Sequence, residues 1–319
     1  MPAISAGLDY IDLQFLRRPH VIATAILHGA PGVALIDPGP TTTIGTLESA
    51  LGAKGIRFRD VRHLLLTHIH LDHAGAAGTI VSRHPHIAVV VHRKGAPHLI
   101  DPAKLLSSAG RLYGQDMDRL WGDVLPVPAE SLQILDGGEA LHVAGRDLRV
   151  EYTPGHASHH VSFFDEASRV AFVGDTAGIR RRSGTESAQD RMSSRGEYAM
   201  PAAPPPDIDL EAWAGSRDRI LKWNPAALFL THFGHYGDPR QHFDALFAHL
   251  SDWSRIVRHL LADGALDDSA RQERFVQDTL RALRRAVGET AAEDYVRAGG
   301  LVYSWMGLAR YWRKRESRP

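Results

Sequence analysis

The sequence predicts a layered α/β sandwich with a helical C-terminal extension, and three observations carry that reading. Short apolar runs of strand length alternate with helical segments through residues 10–230. Several of those runs end in histidine or aspartate beside glycine or proline. From Gln241 onward the apolar residues recur at helical spacing instead.

Composition sets the outer limits. The chain has 319 residues, 44% of them apolar and 23% charged, as in an ordinary soluble globular protein. That length suits one large domain or two smaller ones. Lysine plus arginine number 37, and aspartate plus glutamate also number 37. No global basic surplus points to nucleic acid. The absence of cysteine excludes thiolate ligands, a cysteine nucleophile and disulfides. Met1-Pro2-Ala3-Ile4-Ser5 lacks a basic head before an apolar core, and no run of about 18 apolar residues occurs. A cytoplasmic protein with no membrane partner is the expectation.

The first strands lie in residues 10–37. Ile11, Leu13 and Phe15 alternate with polar partners. A second apolar run covers 21–27, a turn 29–32 and a third strand 33–36, ending at Asp37-Pro38-Gly39. Residues 43–51 read as a helix. Leu64-Leu65-Leu66 then reads as a buried strand running straight into Thr67-His68-Ile69-His70-Leu71-Asp72-His73-Ala74-Gly75. Histidine offers neutral nitrogen and aspartate offers carboxylate oxygen, and both suit Zn²⁺ and similar divalent metals. In an extended or turning segment His68 and His70 point the same way, with Asp72 and His73 beyond the turn. Two pairs of ligands facing two points suggest two metal ions.

Residues 87–91 form another buried strand. Residues 101–128 break the rhythm, with Leu105, Leu106, Ala109, Leu112, Tyr113, Met117, Leu120 and Trp121 at helical spacing. A core-facing helix pair is expected there, and the alternative is a lid that puts Tyr113, Met117 or Trp121 into a substrate pocket. After Gly137-Gly138 strands resume and deliver Tyr152-Thr153-Pro154-Gly155-His156, where the Pro-Gly turn aims His156. His159 and His160 are read as structural or bracing residues. Residues 161–164 and 169–173 form a hairpin that ends in Gly174-Asp175-Thr176-Ala177-Gly178. A glycine-flanked acid at a strand end is well placed to meet a ligand.

Residues 177–209 are a long connection, expected beside the active site. Its Arg180-Arg181-Arg182 reads as a solvated basic turn, or alternatively as a holder of an anionic substrate group; Met192, Tyr198 and Met200 follow. Residues 208–223 are helical, and 227–230 form a strand ending in Thr231-His232-Phe233-Gly234. His235 and Tyr236 are expected to line the pocket without binding metal. The later stripes (Phe243, Leu246, Phe247, Leu250, Trp253, Val257, Leu260, then two more) are expected to pack onto the main domain. Covering the pocket or forming a homodimer contact are their alternative uses.

Thr67-His68-Ile69-His70-Leu71-Asp72-His73 resembles the signature of the metallo-β-lactamase-fold hydrolases, and the motifs at His156, Asp175 and His232 are similar to that family's later ones. The resemblance covers roughly residues 10–240. It implies a four-layer αββα sandwich. Residues 1–240 would form the catalytic domain, with 101–128 as a lid-like helical insertion, and 241–319 the helical extension. It implies two divalent metal ions per chain, zinc by expectation and iron or manganese otherwise. His68, His70 and His156 would hold the first, Asp72, His73 and His232 the second, and Asp175 would bridge them. Asp37 would brace a metal-binding loop through hydrogen bonds. A hydroxide held between two metals would attack the substrate, and Asp72 would help pass a proton to the leaving group.

The bridging Asp175 and the lack of cysteine argue against a true β-lactamase. The pattern is closer to hydroxyacylglutathione hydrolases (glyoxalase II) and acyl-homoserine lactonases. A basic glutathione-binding cluster is not recognisable in the C-terminal helices. Thr176-Ala177-Gly178 stand where the lactonases carry a tyrosine. The resulting expectation is a dinuclear hydrolase of a small ester, thioester or lactone. A mononuclear iron oxygenase like the persulfide dioxygenases, a phosphodiester hydrolase and a non-catalytic binding protein are the alternatives.

Overall fold

The computed structural model describes residues 4–181 and 198–317. One six-stranded sheet holds β1 (Leu8–Asp12), β2 (Ala23–Gly29), β3 (Gly32–Ile36), β4 (Val61–Leu65), β5 (Ala88–His92) and β6 (Leu132–Leu135), in that order. β1, β2 and β3 pair antiparallel. The pairings of β3, β4, β5 and β6 are parallel, so each needs a crossover. Those crossovers carry α1 (Ile44–Ala53), then α2 (Leu71–Ala74) and α3 (Ala77–Arg83), then α4 (Ala96–Ile100), α5 (Ala103–Tyr113) and α6 (Met117–Leu120).

The second six-stranded sheet runs from β7 (Ala140–Val143) through β8 (Arg146–Tyr152), β9 (Val161–Asp165), β10 (Val170–Phe172) and β11 (Ala227–Leu230) to β12 (Gly234–Tyr236). Its pairings are antiparallel except β10 with β11. That one crossover contains α7 (Leu210–Lys222).

Alternation along the strands builds the layers. Ala34, Ile36, Leu65 and Val90 face Phe163, Phe172 and Phe229 of the other sheet in a central core. Their neighbours Leu35, Leu64, Val89 and Val91 face outward onto Leu47, Ile80 and Ala109 of the helices. Phe164, Ala171, Leu228 and Leu230 likewise face Ile220, Phe243 and Leu246. Two sheets back to back with helices outside give the αββα order. Truncating one such interior side chain, as in Leu65→Ala, costs about 2–5 kcal/mol.

Four helices follow: α8 (Pro239–Ala262), α9 (Asp268–Val287), α10 (Glu289–Gly299) and α11 (Leu301–Glu316). Asp267 caps α9 by accepting from the Ala270 N–H. Trp253, Phe275, Leu283, Tyr295 and Trp305 form a core of their own. Tyr198, Met200 and Ala203 from the long connection are buried in it. The approach there is close: a Cβ on Gly307 would sit 2.0 Å from the Ala203 carbonyl oxygen. No helix among the described residues is long and apolar enough to cross a membrane.

Two local expectations are corrected. β1 ends at Asp12, so Leu13 and Phe15 are buried outside the strand, Phe15 in a 3₁₀ turn at Phe15–Arg17. β6 precedes the Gly137-Gly138 turn, where the sequence expectation had no strand; its exposed Gln133 and Ile134 give it little buried apolar signal. The turn expected after His70 is the single helical turn of α2, which carries Asp72 and His73.

Candidate metal centre

Seven side chains meet at the ends of four strands. β4 delivers His68 and His70, with α2 adding Asp72 and His73; the loop after β8 delivers His156, the turn after β10 Asp175, and the end of β11 His232. Their ligand-type atoms form three close groups: His68, His70 and His156; His68, His73 and Asp175; and Asp72, His73 and His232. In the first, His70 Nδ1 lies 2.9 Å from His68 Nε2 and 3.0 Å from His156 Nε2. In the last, Asp72 Oδ2 lies 3.2 Å from His232 Nε2 and 3.8 Å from His73 Nε2. Asp175 stands between the sets. Its Oδ2 is 3.5 Å from His156 Nε2, while Oδ1 is 3.2 Å from His73 Nε2 and 3.6 Å from His232 Nε2.

The outer hydrogen bonds fix which imidazole nitrogen carries a proton. His156 Nδ1 donates to the Ala202 carbonyl at 2.7 Å, and His232 Nδ1 donates to the Val21 carbonyl at 2.7 Å. His73 Nδ1 donates to Asp37 Oδ2 at 2.8 Å. In the neutral ring each Nε2 is then a lone pair aimed at carboxylates and other nitrogens. Lone pairs facing carboxylate oxygens call for either a proton or a cation between them. His73 Nε2 and Asp175 Oδ1 are buried without a hydrogen-bond partner, which is costly unless an ion satisfies both. This nitrogen and oxygen donor set fits divalent metal.

Asp37 is the hub of that bracing. Besides His73, its Oδ2 accepts from the hydroxyls of Thr67 and Thr231 at 2.7 Å each, and its Oδ1 accepts from the Thr67 N–H at 2.8 Å. Thr67 Oγ1 in turn lies 3.2 Å from His68 Nδ1. One buried carboxylate thus reaches both histidine sets. The bracing role expected of Asp37 is what the geometry shows. The two threonines were not singled out, although the Thr-His pair at both strand ends was a readable signal.

Protonation divides the two sets. Burial lowers His68 well below its ordinary value and His70 to about 4, with neighbouring histidines acting the same way. For His73 burial also lowers, but Asp175, Asp72 and Asp37 outweigh it and hold the ring well above its ordinary value. His232 is raised against burial by Asp175 and Asp72. Burial would raise Asp72, yet His73 and His232 bring its carboxyl down to about 2.

The cluster lies on the wall of a cavity of about 840 Å³. His70, Asp72, Asp175 and His232 line one side of it; Leu105, Leu112, Tyr113 and Trp121 come from residues 101–128, and residues 296–300 and Tyr303 from the α10–α11 corner. Met117 does not line it and packs against the outer core. Nor do His235 and Tyr236, contrary to expectation: Tyr236 is buried with its hydroxyl donating to the Arg180 carbonyl. Arg180 and Arg181 are neither a solvated turn nor an anion holder. Arg180 is buried against Asp238 at 3.0 Å and over the Tyr236 ring, and Arg181 donates to the Pro19 and His20 carbonyls. Arg182 and Met192 lie outside the described residues. His159 and His160 brace: both stack on His68, and His160 Nδ1 meets the Thr153 hydroxyl at 2.9 Å.

Comparison with known proteins agrees with this geometry. The family model described as metallo-beta-lactamase superfamily matches residues 20–232. A metallo-beta-lactamase fold-containing protein of Sulfurisphaera tokodaii is 24% identical over 234 residues, covering 72% of this chain and 78% of its own. An atrochrysone carboxyl ACP thioesterase of Aspergillus fumigatus is 25% identical over 53% of this chain, and a hydroxyacylglutathione hydrolase of Aeromonas hydrophila 27% identical over 52%. The chain spans about half the length of these two, 49% and 52%. A solved metallo-beta-lactamase family protein of Thermus thermophilus superposes with a TM-score of 0.65 at 24% identity, over 99% of this chain and 96% of its own. Such likeness extends the shared fold through the C-terminal helices. The chain belongs to the metallo-β-lactamase superfamily of metal-dependent hydrolases.

Proposed function

We propose that the protein is a dinuclear hydrolase of a small ester, thioester or lactone with an apolar acyl part. The observation that carries this reading is Asp175, whose two oxygens face the two ligand sets separately. His68, His70 and His156 would hold one metal ion, and Asp72, His73 and His232 the other. Bound there, the ions would lower the pKa of a water toward about 7 and polarise a carbonyl oxygen. Asp72 is the more exposed of the two carboxylates, its side chain 24% accessible against 6% for Asp175. It opens on the cavity and is placed to carry a proton to the leaving oxygen or sulfur. Asp175 stays buried and holds the sets at fixed separation. The cavity volume suits a small molecule, and its mostly apolar wall can take up an acyl chain or ring. The similarity to a thioesterase and a hydroxyacylglutathione hydrolase supports the same acyl chemistry.

The test is elemental analysis of protein purified without added metal, beside His68→Ala and Asp175→Ala, followed by a panel of esters, thioesters and lactones. About two metals per chain, reduced in both variants, with hydrolysis of panel members, is expected. One iron per chain and oxygen uptake with persulfides would replace this reading by the oxygenase. No metal bound, even with zinc or manganese supplied, would remove it.

A further inference from the structure

We propose that Tyr113 touches the substrate, its phenolic O–H donating to the carbonyl oxygen of the acyl group being cleaved. The inference rests on the hydrolase reading above and assigns a residue to that chemistry.

Tyr113 is the last residue of α5 and lines the same cavity as His70, Asp72, Asp175 and His232. Its ring is held edge-on from two sides. Trp121, just past α6, lies 5.0 Å away at 72°, and Tyr303 of α11 lies 5.3 Å away at 67°. Trp121 is itself backed by Phe15, stacked at 5.7 Å. Trp121 and Tyr303, from separate segments, therefore hold the ring in the cavity wall. Each such aromatic contact is worth about 0.5–1.5 kcal/mol, ample to hold one rotamer.

The Tyr113 hydroxyl has no hydrogen-bond partner among the described residues, unlike the buried phenols of Tyr236 and Tyr295. A tyrosine whose only task was packing would be served as well by phenylalanine. Burial pushes the Tyr113 phenol far above its ordinary value, and the carboxylates of Asp72 and Asp175 across the cavity act in the same sense. The group therefore donates and does not abstract. In hydrolysis a bond forms from the water oxygen to the acyl carbon, and the bond to the leaving oxygen or sulfur breaks. The proton from water passes by way of Asp72 to the leaving group, and Tyr113 keeps its own proton throughout. Charge gathers on the carbonyl oxygen as the carbon becomes tetrahedral, so a fixed neutral donor stabilises that state more than the substrate. A hydrogen bond that strengthens there affects kcat more than KM.

The experiment compares zinc-loaded wild type with Tyr113→Phe, using p-nitrophenyl butanoate, S-butanoyl-N-acetylcysteamine and γ-octalactone as substrates. The same proteins are titrated with n-butylphosphonate, a tetrahedral oxyanion, by calorimetry. Expected are a fall in kcat of about 10–100-fold, KM within twofold, a phosphonate Kd raised at least tenfold, and unchanged zinc content and melting temperature. Equal kcat and equal Kd would overturn the proposal. So would loss of zinc in the variant, a rise in KM alone, or a wild type that does not bind the phosphonate. If wild type hydrolyses nothing but Tyr113→Phe weakens phosphonate binding, the contact stands and the hydrolase reading falls. If wild type hydrolyses and the variant matches it, the hydrolase reading stands and Tyr113 falls.

Discussion

Asp37 Oδ2 lies 2.8 Å from His73 Nδ1, and both side chains are fully buried. Asp37 holds this position with φ at 53°, in the left-handed region that few side chains adopt. The same oxygen accepts from two threonine hydroxyls beside His68 and His232. Replacing Asp37 by alanine would leave four buried donors without an acceptor. The expected cost is about 3–5 kcal/mol, together with loss of metal from the Asp72, His73 and His232 set. Asp37→Asn keeps the shape but presents an N–H₂ among donors. Its metal affinity should fall about 10–100-fold, measured by equilibrium dialysis against graded zinc. Wild-type zinc affinity in both variants would remove Asp37 from the site.

Metal removal should cost stability as well as activity. With Nδ1 of three rings committed outward, the inner atoms are almost all acceptors. Without a cation they must take up protons or repel one another. An ion at 100 times its dissociation constant adds about 2.7 kcal/mol per site, and each kcal/mol moves Tm by roughly 2–4 °C or less in a chain this long. Chelation should therefore lower Tm by about 5 °C or more, and added zinc should restore it. Identical melting curves with and without chelator would contradict a tightly held ion.

Gly155 determines where His156 points. Its φ is 138°, and a Cβ there would stand 2.3 Å from the Trp213 Cα. Trp213 is fully buried, tied through its indole N–H to the Thr176 carbonyl at 2.8 Å, and its ring meets that of His156 edge-on at 5.9 Å. Neither partner has room to yield. Gly155→Ala should displace His156 from His68 and His70 and lower the metal content, with a loss of stability of about 1–3 kcal/mol. Full metal content and a wild-type Tm in Gly155→Ala would show that the turn adapts.

How much of this was readable follows from the range of each interaction. The His68-to-His73 cluster was legible from an apolar strand and its residue types alone, whereas His156, Asp175 and His232 stand singly at strand ends and were picked out by the resemblance to the family's later motifs. Asp37 was readable as a strand-end acid, but its link to Thr231 spans 194 positions and no local pattern announces it. The cavity wall was half legible. Tyr113 and Trp121 fell on a helical stripe, whereas residues 296–300 and Tyr303 reach the site only because α10 and α11 meet at a corner above it. Arg180 shows the opposite failure. Three consecutive arginines suggest solvent, yet Asp238 and the Tyr236 ring draw this one inward. Short strands with exposed faces, such as β6, give too little apolar alternation to be seen at all.

His242 links stability to pH through the turn that carries Asp175. It sits in the first turn of α8, buried, with Nε2 donating to the Ala177 carbonyl at 2.7 Å and Nδ1 accepting from Arg180 at 3.3 Å. Burial lowers its pKa to about 4, Arg180 acts in the same direction, and the Ala177 carbonyl and Asp238 oppose them. In the unfolded chain the ring takes a proton below its ordinary value of 6.5. The unfolded state therefore binds more protons between pH 6.5 and 4, and stability falls as pH drops through that window. For this group alone the loss is on the order of 3 kcal/mol. Gln in place of His242 keeps a donor for Ala177 and an acceptor for Arg180 but does not titrate. His242→Gln should flatten the dependence of unfolding free energy between pH 6.5 and 4.5 by about 2–3 kcal/mol. The measurement is urea unfolding across that range in chelator, so that metal release does not contribute. An equal slope in wild type and variant would mean that His242 is protonated in the fold, and that the acid sensitivity of the Asp175 turn has another source.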